Sequence, residues 1–222
     1  MVRRTREEAL ETRNSILDAA ERVFGRRGVS RTSLDDVARA AGVTRGAIYW
    51  HFKDKADLFG AMLGRVTLPM EEMVERARER GLADPLAQLR ACSVAVLRKV
   101  TGDARARRVF DVVAHKCEYV DEMAAVRRRL SGMRAGCLKQ LEGAFRNAIR
   151  RGLLPASVEP RRAAVGLHAL VDGLITNWLI DPKYFADARE AERIVDRYLE
   201  GLGARVPAAA RPRRRSARAR PD

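Results

Sequence analysis

Apolar residues recur at spacings of three and four almost throughout the chain, and strict two-residue alternation is absent, so the pattern predicts an all-α protein. Ile16, Leu17, Ala20, Val23 and Phe24 share one face of a first helix that should stop near Gly28. Thr32 and Ser33, each followed three residues on by an aspartate, announce a second, short helix ending at Gly42. Thr44 is suited to cap a third through about Trp50, and Asp54 a fourth carrying Leu58, Phe59, Met62, Leu63 and Val66, which Pro69 should bend or break. Asp84-Pro85 opens a fifth helix to about Val100, a sixth covers about 105–116, and a long seventh runs from about Val120 to Arg151. Pro160 starts an eighth that ends at Asp181-Pro182, and a ninth follows from about Ala188 to Leu202.

The stretch "TSLDDVARAAGVTRGAIYWHF" is the most informative part of this pattern. Leu34, Val37 and Ala38 face one way, Gly42 supplies a corner, and Val43 and Ile48 give the next helix apolar anchors, the spacing of a helix-turn-helix. Ala47 and Ile48 then face inward, and Arg45, Tyr49 and Trp50 outward. Gly46 lets the helix approach the floor of a major groove so that Arg45 can reach base edges. Tyr49, His51 and Lys55 suit phosphate oxygens. The hydroxyls of Thr32, Ser33 and Thr44 serve either as helix caps or as phosphate contacts, and Trp50 is either part of the outer face or a hinge packed on Phe52 and the fourth helix.

Charge fits that reading. The 222 residues carry 44 Lys and Arg against 29 Asp and Glu, a net charge of +15 that favours a polyanionic partner. Seven arginines fall within residues 205–222, and the segment 206–222 has the composition of a disordered basic tail. It adds either solubility or non-specific affinity for nucleic acid. Cys92, Cys117 and Cys137 are far apart and leave an odd thiol over, so reduced cysteines in an intracellular chain are expected, with no metal site. His115 and Cys117 do not suffice for one. His168, Asp172 and Asn177 interrupt the longest apolar run and argue against a bilayer span. With three histidines, no paired-carboxylate or nucleophile motif and no phosphate-cradling glycine loop, the residues point to neither an enzyme nor a cofactor. A non-specific nucleic-acid packaging protein would also fit the charge and the tail, but it leaves a large apolar helical domain unexplained.

The residues "TSLDDVARAAGVTRGAIYWHFKDKADLF" resemble the DNA-binding signature of TetR-family transcriptional repressors. "MVRRTREEALETR", "DARARR", "HKCEYVDEM", "NAIRRGLLP" and "RAAVGLHALVDGLITNWL" are similar to the branch that represses multidrug efflux operons. The resemblance implies a DNA-binding domain at 1–65 and a ligand-binding and dimerisation domain at 66–205. It implies a homodimer on a palindromic double-stranded DNA operator, released when a hydrophobic small molecule binds, in the cytoplasm. The ligand set it implies is Val96, Phe110, Ala114, Arg134, Cys137, Leu141, His168, Asp172 and Thr176. Phe110 and Ala114 stand where relatives have polar residues, which makes the expected pocket greasier. Asp172, in mid-helix, should find either a ligand or an internal donor such as Arg134. The eighth helix is apolar nearly all round, with Gly166 and Gly173 seven apart, and the ninth carries Ile194, Val195, Tyr198, Leu199 and Leu202. These two helices would build the dimer interface.

Overall fold

The structure is a computed structural model that describes residues 6–79, 84–118 and 123–204, with only the backbone of 69–71 and 73–79. These residues form nine helices and no strand: α1 (Arg6–Arg27), α2 (Leu34–Ala41), α3 (Arg45–His51), α4 (Lys55–Glu79), α5 (Pro85–Gly102), α6 (Ala104–His115), α7 (Ala124–Arg150), α8 (Pro160–Ile180) and α9 (Ala188–Gly201). The tail at 206–222 and the expected start of the seventh helix at Val120 lie outside the described residues. Pro69 does not break α4, which continues through it to Glu79. A proline forfeits one backbone hydrogen bond, and the buried stripe of Leu58, Phe59, Met62, Leu63 and Val66 anchors the helix that runs into it.

Side-chain caps set most helix starts. Asp84 accepts from the Leu86 amide and precedes a proline at the first helical position, where no amide is needed. Asp103 accepts from Arg105 and Ala106, Glu159 from Arg161 and Arg162, and Asp187 from Glu190. Each satisfies amides that a helix start leaves unpaired.

Two hydrophobic cores result. The first joins Ile16, Leu17 and Phe24 of α1 to Val37, Ile48, Phe59 and Met62 of α2 to α4, and it takes in Ala106, Val109 and Val112 of α6 and Val126 of α7. The second is built from α5, the C-terminal half of α7, α8 and α9, around Leu97, Phe145, Leu167, Leu174, Val195 and Leu199. Phe110 packs against both. The helix-turn-helix unit is therefore clamped by α6, and α4 passes through position 66 without interruption.

Among the described residues, α8 is the helix with the length and apolarity to cross a membrane. It packs on α5, α6, α7 and α9 instead. Gly166 serves that packing within the chain: Tyr198 of α9 reaches over it and donates its hydroxyl to the Ala163 carbonyl at 2.8 Å. A Cβ at 166 would sit 2.3 Å from the tyrosine oxygen, whereas one at Gly173 would meet nothing within 4 Å. We expect Gly166→Ala to lower stability by about 1 to 3 kcal/mol through overpacking. Urea midpoints compared at equal protein concentration check this, and Gly173→Ala should show no such loss.

Candidate DNA-binding surface and ligand cavity

The helix-turn-helix is fixed by local chemistry at both of its ends. Ser33 caps α2: its hydroxyl accepts from the Asp36 amide at 3.1 Å and donates to the Asp36 carboxylate at 2.7 Å, and its own amide donates to that carboxylate at 3.0 Å. These bonds, with Arg39, hold the Asp36 carboxyl well below the usual carboxylate range. With the folded pKa depressed, the cap's contribution is complete above the ordinary aspartate pKa and is lost as pH falls below it. Gly42 closes α2 in the left-handed region, at φ 69°, with its amide on the Ala38 and Arg39 carbonyls. Thr44 then caps α3 through the Ala47 amide at 3.2 Å, and the fully buried Ile48 pins the inner side of α3 to the first core.

The opposite side of α3 is open. Arg45, Gly46, Tyr49 and Trp50 are exposed, Trp50 to 73%. The Arg45 guanidinium lies 5.6 Å from the centre of the Tyr49 ring, and its Nε is 3.4 Å from Asp35. Trp50 meets only the edge of His51, at 4.5 Å between ring centres, while Phe52 is buried. The hinge alternative for Trp50 is therefore incorrect. An indole this exposed beside an arginine and a tyrosine marks a surface built for a partner.

One expected phosphate contact, Thr32, is contradicted, and another, Lys55, is also tied within the chain. Thr32 is 1% exposed, and its hydroxyl donates to the Gly28 carbonyl at 2.7 Å, so it neither caps α2 nor reaches the surface. Lys55 is half-buried and donates to the Val29 carbonyl at 3.0 Å and the Ser30 carbonyl at 3.5 Å, tying α4 to the turn before α2. Ser33 and Thr44 are exposed at their caps, and their amide-accepting bonds leave them at the edge of the outer face.

A cavity of about 270 Å³ opens between α5, α6, α7 and α8. Val96, Phe110, Cys137, Leu141, His168 and Asp172 line it, with Gln88, Leu89, Cys92 and Ser93 of α5, which the sequence did not single out. Ala114, Arg134 and Thr176 do not line it. Thr176 follows the lining residue Ile175 but points about 100° round α8 from it, and Ala114 and Arg134 lie four and three residues along their helices from the lining residues Phe110 and Cys137. Asp172 is also not the enclosed carboxylate expected from its position. It is exposed at the cavity edge, without an ion pair to Arg134 or a hydrogen-bond partner among the described residues. No lysine or arginine lines the cavity, and no group of three metal-ligating side chains occurs among the described residues.

An ionic seam joining α1, α4 and α6, the helices around the first core, is a feature that the sequence pattern does not announce. Asp18 and Glu21 of α1 meet Arg65 of α4 at 2.7 and 3.1 Å. Arg105 of α6 reaches the same two carboxylates at 2.8 and 3.3 Å, and Arg108 reaches Glu21 at 3.4 Å. No periodicity marks such a cluster, because its members come from three helices.

A capped helix-turn-helix with an exposed Arg/Tyr/Trp face, in a chain that also holds an apolar cavity among α5 to α8, defines the class of helix-turn-helix DNA-binding regulators. Residues 16–62 match the bacterial regulatory proteins of the tetR family, and residues 84–204 match the C-terminal region of MAATS-type transcriptional repressors. The chain belongs to the TetR family. It is 43% identical over 202 residues to the HTH-type transcriptional regulator TtgR of Pseudomonas putida, an alignment that spans 91% of this chain and 96% of TtgR. The crystal structure of NalD, the secondary repressor of the MexAB-OprM multidrug efflux pump in Pseudomonas aeruginosa, superposes with a TM-score of 0.82 at 37% identity over 90% of this chain and 99% of NalD. SmeT in complex with triclosan superposes with a TM-score of 0.76 at 31% identity over 86% of this chain and 91% of SmeT.

Proposed function

We propose that this protein is a cytoplasmic, homodimeric repressor of a multidrug efflux operon, released from a palindromic operator when a hydrophobic small molecule enters the α5–α8 cavity. The outward face of α3 carries the reading: a side-chain-free position flanked by an arginine, a tyrosine and a tryptophan that stay exposed. Two copies set about 34 to 36 Å apart would read successive major grooves. Val165 on α8, Ile180 at its end and Tyr184 just beyond it are exposed apolar side chains suited to covering by a second subunit.

Arg45→Ala should weaken operator binding by about 1 to 3 kcal/mol and leave binding to random duplex nearly unchanged. Fluorescence anisotropy on both duplexes at one salt concentration measures it. Equal losses on the two would mean that Arg45 does not read sequence, and would favour a non-specific nucleic-acid-binding role.

Release follows from the placement of Phe110, which touches both cores and lines the cavity. An occupant that prefers one position of this ring shifts α6, and with it the clamp on the helix-turn-helix. A tenfold loss of operator affinity requires about 1.4 kcal/mol of differential binding. The lining suggests the effector's chemistry: a largely apolar wall with one unpaired carboxylate and no lysine or arginine suits an apolar molecule bearing a positive or hydrogen-bond-donating group. Asp172→Asn should weaken a cationic apolar effector about fivefold, on the order of 1 kcal/mol for a solvent-accessible pair. A neutral analogue should bind the variant and the parent alike. Calorimetric titration with such a matched pair decides the point.

A further inference from the structure

A second hollow, of about 600 Å³, lies at the far end of α6, between the turn joining α1 to α2 and the residues just after α6. Arg26, Arg27 and Arg31 form one wall, and Lys116 stands opposite. Glu118 is the one carboxylate residue in the lining. Arg27 is 3.5 Å from Asp36, but Arg26, Arg31 and Lys116 have no ion-pair partner among the described residues. The arginines of the α1–α4–α6 seam, by contrast, are all paired. Like charges gathered around a hollow repel one another unless an anion sits among them.

Ser30 and His115 complete the setting. Both line the hollow, and each has a buried polar atom, Ser30 Oγ and His115 Nε2, without a hydrogen-bond partner. The other ring nitrogen of His115 is engaged with Asp111 at 3.0 Å, which fixes the imidazole in place. Neither atom is open to solvent, so the unpaired cations of the lining, not these two groups, would hold an occupant. The two walls already touch: the Val29 amide donates to the Lys116 carbonyl at 2.8 Å.

We propose that this hollow is a second ligand site, separate from the apolar cavity, and that it takes a small multivalent anion bearing phosphate groups. Arginine forks match phosphate oxygens in geometry as well as charge. The concave shape favours a small molecule over a DNA strand, whose phosphates lie on a convex surface. The occupant grips the turn ahead of the Ser33 cap and the chain after α6 together. It therefore stiffens the junction between the helix-turn-helix and the rest of the molecule.

Inorganic pyrophosphate titrated calorimetrically into the full-length protein at about 0.15 M salt, where exposed charges are largely screened, tests the site. The expected result is saturable binding of one pyrophosphate per subunit, weakened at least tenfold in Arg26→Ala/Lys116→Ala and unchanged in the control Lys139→Ala/Arg150→Ala. Thermal melts verify folding of each variant, and Arg31→Ser serves if the first double variant is unfolded. Absence of saturable binding overturns the proposal. So does equal affinity in parent and basin variants, which would place the anion on other arginines. Loss of operator affinity in the basin variants, with no pyrophosphate binding by the parent, would make the hollow part of the DNA surface and would also refute it.

Discussion

Gly46→Leu should lower operator affinity at least about a hundredfold while leaving binding to random duplex and the folded state nearly intact. The protein itself gives no reason for a glycine at this position. A Cβ there would meet nothing within 4 Å, and the residue is exposed on α3. A glycine inside a helix costs roughly 0.5 to 1 kcal/mol relative to alanine, so any added side chain should hold or raise stability. On the proposed function, the glycine serves a contact outside the chain, with the backbone of α3 set against a base-pair edge. A leucine at this point holds the whole helix off the groove floor, so Arg45 and its neighbours lose their base contacts together. The energy at stake is then a large share of the roughly 4 to 10 kcal/mol that separates specific from non-specific binding. Anisotropy titrations on operator and random duplexes, paired with a thermal melt, separate the two effects. Unchanged operator affinity in a well-folded Gly46→Leu protein would remove the groove-docking reading altogether.

The legibility of this protein from its sequence follows the range of the interactions concerned. Helix starts such as Ser33, Thr44 and Pro85 are set by partners within four residues, and they are readable from the chain alone. The outer face of α3 is readable for the same reason, since helical period alone separates Ile48 from Arg45 and Tyr49. Thr32 shows where local pattern fails. It sits beside a true cap and has the right chemistry, yet its hydroxyl turns back to Gly28, because the turn rather than the helix claims it. Lys55 shows a tie that local pattern does not reveal, to a carbonyl 26 residues away. In the cavity, periodicity brings Val96, Phe110, Cys137, Leu141, His168 and Asp172 to the lining, but the lining takes Ile175 rather than its neighbour Thr176 and leaves out Ala114 and Arg134, which only the packing of the helices decides. The apolar neighbours of Asp172 along the chain suggest enclosure, whereas it lies at an open edge.

Glu21→Ala should destabilise the protein by about 3 kcal/mol, the low end of what removing one member of a buried ion network costs. Glu21 is 2% exposed and receives three guanidinium groups, from Arg65, Arg105 and Arg108. Its removal leaves three positive charges with Asp18, which already holds Arg65 and Arg105. Arg65 is the costliest of these to strand, being 17% exposed and unable to turn to water as Arg105 and Arg108 can. Glu21→Gln keeps the shape and one acceptor, so its loss should be smaller. Because Glu21 and Arg65 are shielded from solvent, the difference between parent and Glu21→Ala should persist in high salt, unlike that of a surface pair. Urea denaturation at low and high sodium chloride measures both quantities. A loss below about 1 kcal/mol would show that Asp18 alone can hold the arginines, and the seam would then be a surface feature rather than a buried clamp. If the clamp is real, Glu21→Gln also loosens α1 from α4 and α6, the helices that on the proposed release path link Phe110 to the recognition helix. Operator affinity in Glu21→Gln should then respond less to effector than in the parent, by a factor that gel-shift titrations with and without ligand would read directly.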